Sequence, residues 1–290
     1  MDCLPRSEET RGEDAGFGVR RLGKFGAEVS GIDLKRSIDD AAARQLRAAL
    51  AEFQILLFRG QSISPEEQLG LTRCFGELEP GVARRPESHQ VPGYPDVLRL
   101  SNEPGSPTEE YGQSWHSDGL AYARKPHGAT MLHCLACPAG AGDTLFASQY
   151  LAYEALPDDL RRALKDLYWH LPAIPFSEVP AGRGLVRPMV RVHPRTRRAF
   201  LFCAPNSRQL RGLSYGESAD ILDAVHEHQV REDVVYRHAW RELDVVVWEN
   251  CALLHNRADV VDFATQGLRK MHRTATAGDV EALECEPALE

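Results

Sequence analysis

The sequence has no apolar run approaching 18 residues, so no membrane-spanning helix is expected. Met1 to Gly16 is polar and acidic and lacks the apolar centre of a secretory signal, and it reads as a flexible tail. Basic residues are not in excess. The 34 Lys and Arg face 42 Asp and Glu, a formal charge of -8, which argues against a nucleic-acid partner held across the whole surface. Local basic pockets remain open, because arginines do cluster. A cysteine framework is missing too. Seven cysteines, an odd number without disulfide spacing, suit a reducing cytoplasm. Cys134-x-x-Cys137 has neither a second pair nor a histidine at finger spacing, so no zinc is expected there. There is no internal repeat. What is present is ordinary for a globular protein: 43% hydrophobic and 26% charged residues over 290 positions, enough for one large β-rich domain or two small ones.

Periodicity supplies a coarse map. Ala27 to Leu34 alternates as a strand. Ile38 to Phe53 carries Ala42, Leu46, Ala49, Leu50 and Phe53 at helical spacing and runs into a short buried strand, Ile55 to Phe58. Ser64-Pro65-Glu66-Glu67 predicts a capping box opening a helix that ends near Phe75-Gly76. Residues 79–113 are rich in Pro, Gly, Ser and Glu and read as a long loop of the lid kind, with one strand at Val97 to Leu100. Strands are expected at Gly128 to Cys134 and Asp143 to Ala147, and a helix from Pro157 to Leu167. Met189 to His193 and Ala199 to Phe202 form a hairpin, Gly216 to His228 a helix, and Val234 to Trp240, Asp244 to Trp248 and Arg269 to Ala277 are strands. The pattern is mainly β with flanking helices (α+β), expected as a distorted double-sheet barrel of the jelly-roll type, a double-stranded β-helix. The domain division that follows is a tail over 1–16, a single domain over 17–279 and a second tail over 280–290.

The chemistry centres on Trp115-His116-Ser117-Asp118 and on Leu254-His255 far downstream. Residues i and i+2 of a strand share a face, about 6 to 7 Å apart. His116 and Asp118 can therefore converge on one metal ion, with His255 arriving from a distant strand. Two imidazoles and one carboxylate leave half an octahedron open, an arrangement that favours Fe(II) working on oxygen. A surface histidine beside a packed one, and a zinc site of a hydrolase, are the competing readings.

Further segments occur in one order: Phe75-Gly76-Glu77-Leu78, Ala139-Gly140-Ala141-Gly142-Asp143-Thr144, Val247-Trp248-Glu249-Asn250, Leu254-His255-Asn256-Arg257-Ala258 and Arg269-Lys270-Met271-His272-Arg273. Together with the His-x-Asp segment they resemble the TauD/TfdA group of Fe(II)- and 2-oxoglutarate-dependent dioxygenases, over most of the chain. The resemblance implies that His116, Asp118 and His255 bind iron. It implies that Thr144 and Arg269 hold the distal carboxylate of 2-oxoglutarate, a planar group that a guanidinium fork meets with two parallel bonds. Arg273 matches the position that grips the substrate's anionic group in taurine-type members, with a salt bridge or help to the cosubstrate as its alternatives.

The reaction so implied is oxidation of a small anionic substrate by O2, hydroxylation or desaturation, with release of succinate and CO2. A biosynthetic tailoring step and a catabolic sulfonate or ether cleavage both remain open, as do a zinc hydrolase and a non-catalytic jelly-roll module as alternatives of another class. Asp118 itself excludes the related halogenases, which carry a small residue there. The taurine pattern fails at Gly81, Arg84 and Gly112, so taurine is not the expected substrate. Tyr122 is expected in the pocket wall and Arg84-Arg85 as an anion-attracting element, against plain packing and a solvated turn. Trp248 and His272 are read as packing. Self-association is not legible.

Overall fold

The computed structural model describes residues 10–11, 16–80, 84–109, 111–172, 178, 183–279 and 283–285. Alternation builds its centre. In the strands Ile55–Phe58 and Val245–Glu249, Leu56, Phe58, Val245 and Val247 point to one face, and Ile55, Leu57, Val246 and Trp248 to the other. Both faces are apolar, so both are covered. The first face packs under the helix Asp40–Phe53 through Leu46, Leu50 and Phe53. Asp39 caps that helix by accepting from Ala42 N at 2.8 Å. The second face meets Phe146 and Leu253 of a smaller sheet.

The large sheet has nine strands, in the order Thr10–Arg11, Gly18–Arg21, Ala27–Ser30, Ile55–Phe58, Val245–Glu249, Ala129–Ala136, Lys270–Ala275, Tyr94–Ser101 and Gln90–Val91. All neighbours are antiparallel except Ala27–Ser30 with Ile55–Phe58. The small sheet places Thr144–Ser148 between Val235–His238 and Leu253–Arg257. A further sheet, which includes Tyr168–Pro172 and Gly184–Pro188, and the hairpin Val190–Val192 with Ala199–Leu201 share a third core. The helix Tyr215–Gln229 covers that core through Leu222 and Val225 against Trp169, Phe200 and Phe202.

The architecture is mainly β with flanking helices, as the periodicity required. The Ser64–Glu67 capping box is present in both directions, at 3.2 and 2.7 Å, ahead of the helix Pro65–Arg73. Three expectations change. The stretch 79–113 contains an eight-residue strand, Tyr94–Ser101, paired along Lys270–Ala275, so only its flanks are loop. The region between Leu167 and Met189, where periodicity gave no strand, supplies the two strands Tyr168–Pro172 and Gly184–Pro188. Neither proposed tail is wholly separate. Thr10–Arg11 pairs with Gly18 and Val19, and Leu283–Cys285 pairs with Gly184–Val186. The rest of both tails, and Gly81, lie outside the described residues. No helix among the described residues is long and apolar enough to cross a membrane.

Candidate active site

His255 sits on the strand Leu253–Arg257, and His116 forms an isolated antiparallel bridge to it. Each donates its backbone N–H to the other's carbonyl, at 3.0 and 2.8 Å. That pairing sets the two imidazoles side by side, with ring centroids 4.1 Å apart. Asp118 follows His116 by two residues and shares its face. One ligand atom from each of His116, Asp118 and His255 lies within 4.8 Å of the others, and no other such trio occurs among the described residues. The His-x-Asp pair and the far histidine therefore do converge.

The turn after Ser117 is held from outside. Asn250, fully buried at the end of the Val245–Glu249 strand, accepts from Asp118 N at 2.8 Å. Its Nδ2 donates to the carbonyls of Asp118 and His127, at 2.8 and 3.0 Å. Ser117 Oγ donates to the Asn250 carbonyl at 2.7 Å. Gly119 has φ +74°, and a Cβ there would lie 3.0 Å from the His127 ring and 3.2 Å from backbone, so only glycine fits. Arg187, fully buried, ties down the next residues by donating to the carbonyls of Leu120, Ala123 and Arg124.

The donor set suits a divalent ion. Burial alone would raise the Asp118 carboxyl, but Arg273, His255 and His127 hold it well below the carboxylate range, so it is an anion. Burial and the neighbouring His116 keep His255 neutral, with a lone pair available. Nδ1 of His116 lies 2.6 Å from the Ser114 carbonyl, which fixes the tautomer and leaves Nε2 as the ligand atom. His255 Nε2 stands 3.7 Å from Asp118 Oδ2. Trp248 is core, as expected, and its ring also backs His255 edge-on at 5.0 Å.

The two arginines of the predicted site, Arg269 and Arg273, are both buried. Arg269 is 7% exposed, and its Nε donates to the Gly142 carbonyl at 3.0 Å. It has no ion-pair partner among the described residues. Burial, and then repulsion from Arg257, lower it to about 10. Gly142 has φ +77°, and a Cβ there would lie 2.8 Å from Arg269 Cδ. Thr144 is also buried. Its Oγ1 accepts from Trp240 Nε1 at 2.9 Å, which leaves the hydroxyl proton to donate. An unpaired buried guanidinium beside a free hydroxyl proton fits an incoming carboxylate.

Arg273 lies on the Lys270–Ala275 strand with Met271, on the inner face. Its Nη2 is 2.8 Å from Asp118 Oδ2 and 2.8 Å from His127 Nδ1. Nε2 of His127 points at Glu79 Oε2, 3.5 Å away. His127 must therefore accept at Nδ1 and carry its proton on Nε2. His272 pairs in register with His133 and is packing, as expected.

Tyr122 is half-buried, and burial and the charge of Asp118 push its hydroxyl up. Arg84 is different. It is largely exposed and pairs with Glu178 at 3.3 Å. Arg85 is the member of the pair whose charge reaches Tyr122 and His127, and it donates to the Tyr111 hydroxyl at 3.2 Å. The Gly112 carbonyl accepts from Arg257 N at 2.7 Å. Cys134 and Cys137 share a hydrogen bond, and burial pushes both thiols up; they belong to no metal-ligating trio.

Sequence reasoning missed Asn250, His127, Glu79, Arg187 and Arg257. Arg257 alone had a usable signal, two positions beyond His255 on one strand face. The partners of the others are distant in sequence.

His127 carries a pH prediction. Burial first, and then Arg273, lower its pKa to about 3 from an ordinary 6.5. Below pH 6.5 the unfolded chain takes up a proton that the native state refuses, so stability falls as pH drops and flattens near 3. The slope is about 1.4 kcal/mol per pH unit for one such histidine. Urea midpoints measured from pH 7.5 to 5 are expected to fall, and less steeply for His127→Gln. Equal slopes in the two proteins would refute the assignment.

The sequence profile described as "Taurine catabolism dioxygenase TauD, TfdA family" matches residues 18–275. An alpha-ketoglutarate-dependent 2,4-dichlorophenoxyacetate dioxygenase of Cupriavidus pinatubonensis is 30% identical, over 88% of this chain and 95% of that one. An alpha-ketoglutarate-dependent sulfate ester dioxygenase of Pseudomonas putida is 28% identical, over 89% and 88%. A crystal structure of a taurine dioxygenase from Burkholderia xenovorans superposes with TM-score 0.79 at 29% identity, over 94% of this chain and 97% of that one. The profile spans the trio and both buried arginines, and the chain belongs to the TauD/TfdA family of 2-oxoglutarate-dependent dioxygenases, oxidoreductases that use Fe(II), 2-oxoglutarate and O2.

Proposed function

We propose that this chain oxidises a small organic anion, and that His116, Asp118 and His255 hold its Fe(II). The observation that carries this is the convergence of one anionic and two imidazole groups within 4.8 Å, and it is supported by the buried Arg269, which has no ion-pair partner among the described residues. When bound, Fe(II) with 2-oxoglutarate and O2 supplies the oxidising power for an unactivated C–H bond, giving hydroxylation or desaturation with release of succinate and CO2.

The chain's own residues bind, orient and exclude water. Arg269 and Thr144 hold the distal carboxylate of 2-oxoglutarate from the small-sheet side. Arg273 faces the site from the large sheet and takes the substrate's anionic group, with Tyr122 as wall and Arg85, rather than Arg84, adding positive potential. The relatives named above support an anionic substrate, since a phenoxyacetate and a sulfate ester are both organic anions. Aromatic backing by Trp248 and Phe146 keeps water from the far side of His255. We further read residues 17–279 as a single distorted double-stranded β-helix, supported by two sheets that face each other across the trio. Cytoplasmic residence is in keeping with five free cysteines among the described residues.

Anaerobic titration with Fe(II) and then 2-oxoglutarate tests the reading. A weak visible charge-transfer band is expected in the wild-type protein. Arg269→Ala should need more than about tenfold more 2-oxoglutarate to reach it, since a charged hydrogen bond contributes about 1.5–3 kcal/mol. A folded wild-type protein without the band would refute the proposal.

A further inference from the structure

Arg257 has no task in the site as described above, yet its placement is specific. It lies two residues beyond His255 on the same strand and directly opposite Thr144 in the ladder, so it shares the inner face with both. Its backbone N–H donates to the Gly112 carbonyl at 2.7 Å, and its Nη1 to the Glu109 carbonyl at 3.0 Å. The remaining nitrogens, Nε and Nη2, are buried and have no hydrogen-bond partner. No carboxylate among the described residues pairs with it. Asp259, two positions on, is already engaged by Gly142 N at 2.9 Å.

Two buried unmade donors are costly, at about 1–3 kcal/mol each, unless an acceptor arrives. Nε and Nη2 form one edge of the guanidinium, with parallel N–H vectors. That edge matches the two oxygens of a carboxylate. Arg269 is near enough to feel the Arg257 charge, and Thr144 stands across the ladder. Two cations and a hydroxyl thus converge where one anion is due.

We propose that Arg257 is a second carboxylate-binding arginine of the cosubstrate pocket, closing on the distal carboxylate of 2-oxoglutarate together with Arg269 and Thr144. This rests on the reading of the site under the proposed function. It makes Arg257 a determinant of which keto acid is accepted, because the paired guanidiniums favour a dicarboxylate over a monocarboxylate. Through Nη1 the same side chain also ties the Glu109 backbone to that subsite.

The test is calorimetric binding to the Mn(II)-loaded protein under argon. One titrant is 2-oxoglutarate. The other is 2-oxovalerate, which has the same five-carbon chain without the distal carboxylate. Arg257→Gln is expected to raise the Kd for 2-oxoglutarate on the order of ten- to a hundredfold, to leave 2-oxovalerate unchanged, and to be partly rescued by Arg257→Lys. An unchanged Kd for 2-oxoglutarate overturns the inference. Equal weakening of both keto acids also overturns it, since that marks a structural defect. A wild-type protein that binds neither keto acid would instead overturn the cosubstrate reading itself.

Discussion

Asp118→Ala is expected to abolish succinate formation and to strip the protein of Fe(II) in the same step. The carboxylate is the sole anion of the trio, and its Oδ2 also meets Arg273 at 2.8 Å and Thr130 Oγ1 at 3.2 Å. Alanine removes a proposed metal ligand and leaves Arg273 buried with its nearest counter-ion gone. Loss of a group that merely supports a ligand costs about 10–100-fold in metal affinity, so loss of a ligand should exceed that. Breaking a buried pair from one side costs about 3–5 kcal/mol of stability. Metal content, succinate assays and thermal melts should therefore all move. Asp118→Asn, close in volume, separates the effects: it should stay folded and still lose iron. An Asn variant with wild-type iron content and turnover within about tenfold of normal would remove Asp118 from the metal site.

Asn250→Ala is expected to be the most destabilising single polar substitution in the site. The side chain is fully buried and makes three hydrogen bonds, one from Asp118 N and two to the carbonyls of Asp118 and His127. Alanine orphans Asp118 N, at about 1–3 kcal/mol, and strips one donor from each of the two carbonyls, leaving Asp118 O with His127 N and His127 O with the weak Cys251 Sγ donor. With the two lost carbonyl bonds, at about 0.5–1.5 kcal/mol each, that is about 2–5 kcal/mol, a large fraction of the stability of about 5–15 kcal/mol typical of folded proteins. Because the Asp118 turn is then unpinned, Fe(II) affinity should fall as well. Asn250→Asp should not rescue, since it presents an acceptor to two carbonyls. An unfolding free energy from urea melts within about 1 kcal/mol of wild type would show that the turn is held by other contacts.

The legibility of the fold followed the strength of local patterns. Short unbroken apolar runs, at Ile55–Phe58 and inside Val245–Glu249, and the reciprocal Ser64–Glu67 cap are local signals, and they lie within a residue of where the sequence placed them. The strands Tyr168–Pro172 and Gly184–Pro188 were missed because they are short, and what stabilises them is pairing with each other and packing on Phe200 and Phe202. Tyr94–Ser101 was underestimated for a related reason. Its Pro95 and its mixed burial suggest loop, while its partner, the Lys270–Ala275 strand, lies far along the chain.

The sequence by itself determined the ligand chemistry. A His-x-Asp pair, a distant histidine, a threonine and two arginines four apart define what can be bound, because residue type and the two-residue strand period are local properties. Which guanidinium faces which anion was decided only in three dimensions. Arg273 meets Asp118 and His127, Arg84 turns away to Glu178, and Arg257 comes up beside Thr144 with two donors unmade. Those pairings join strands of two facing sheets and a loop. They depend on register and burial, and a linear pattern carries neither.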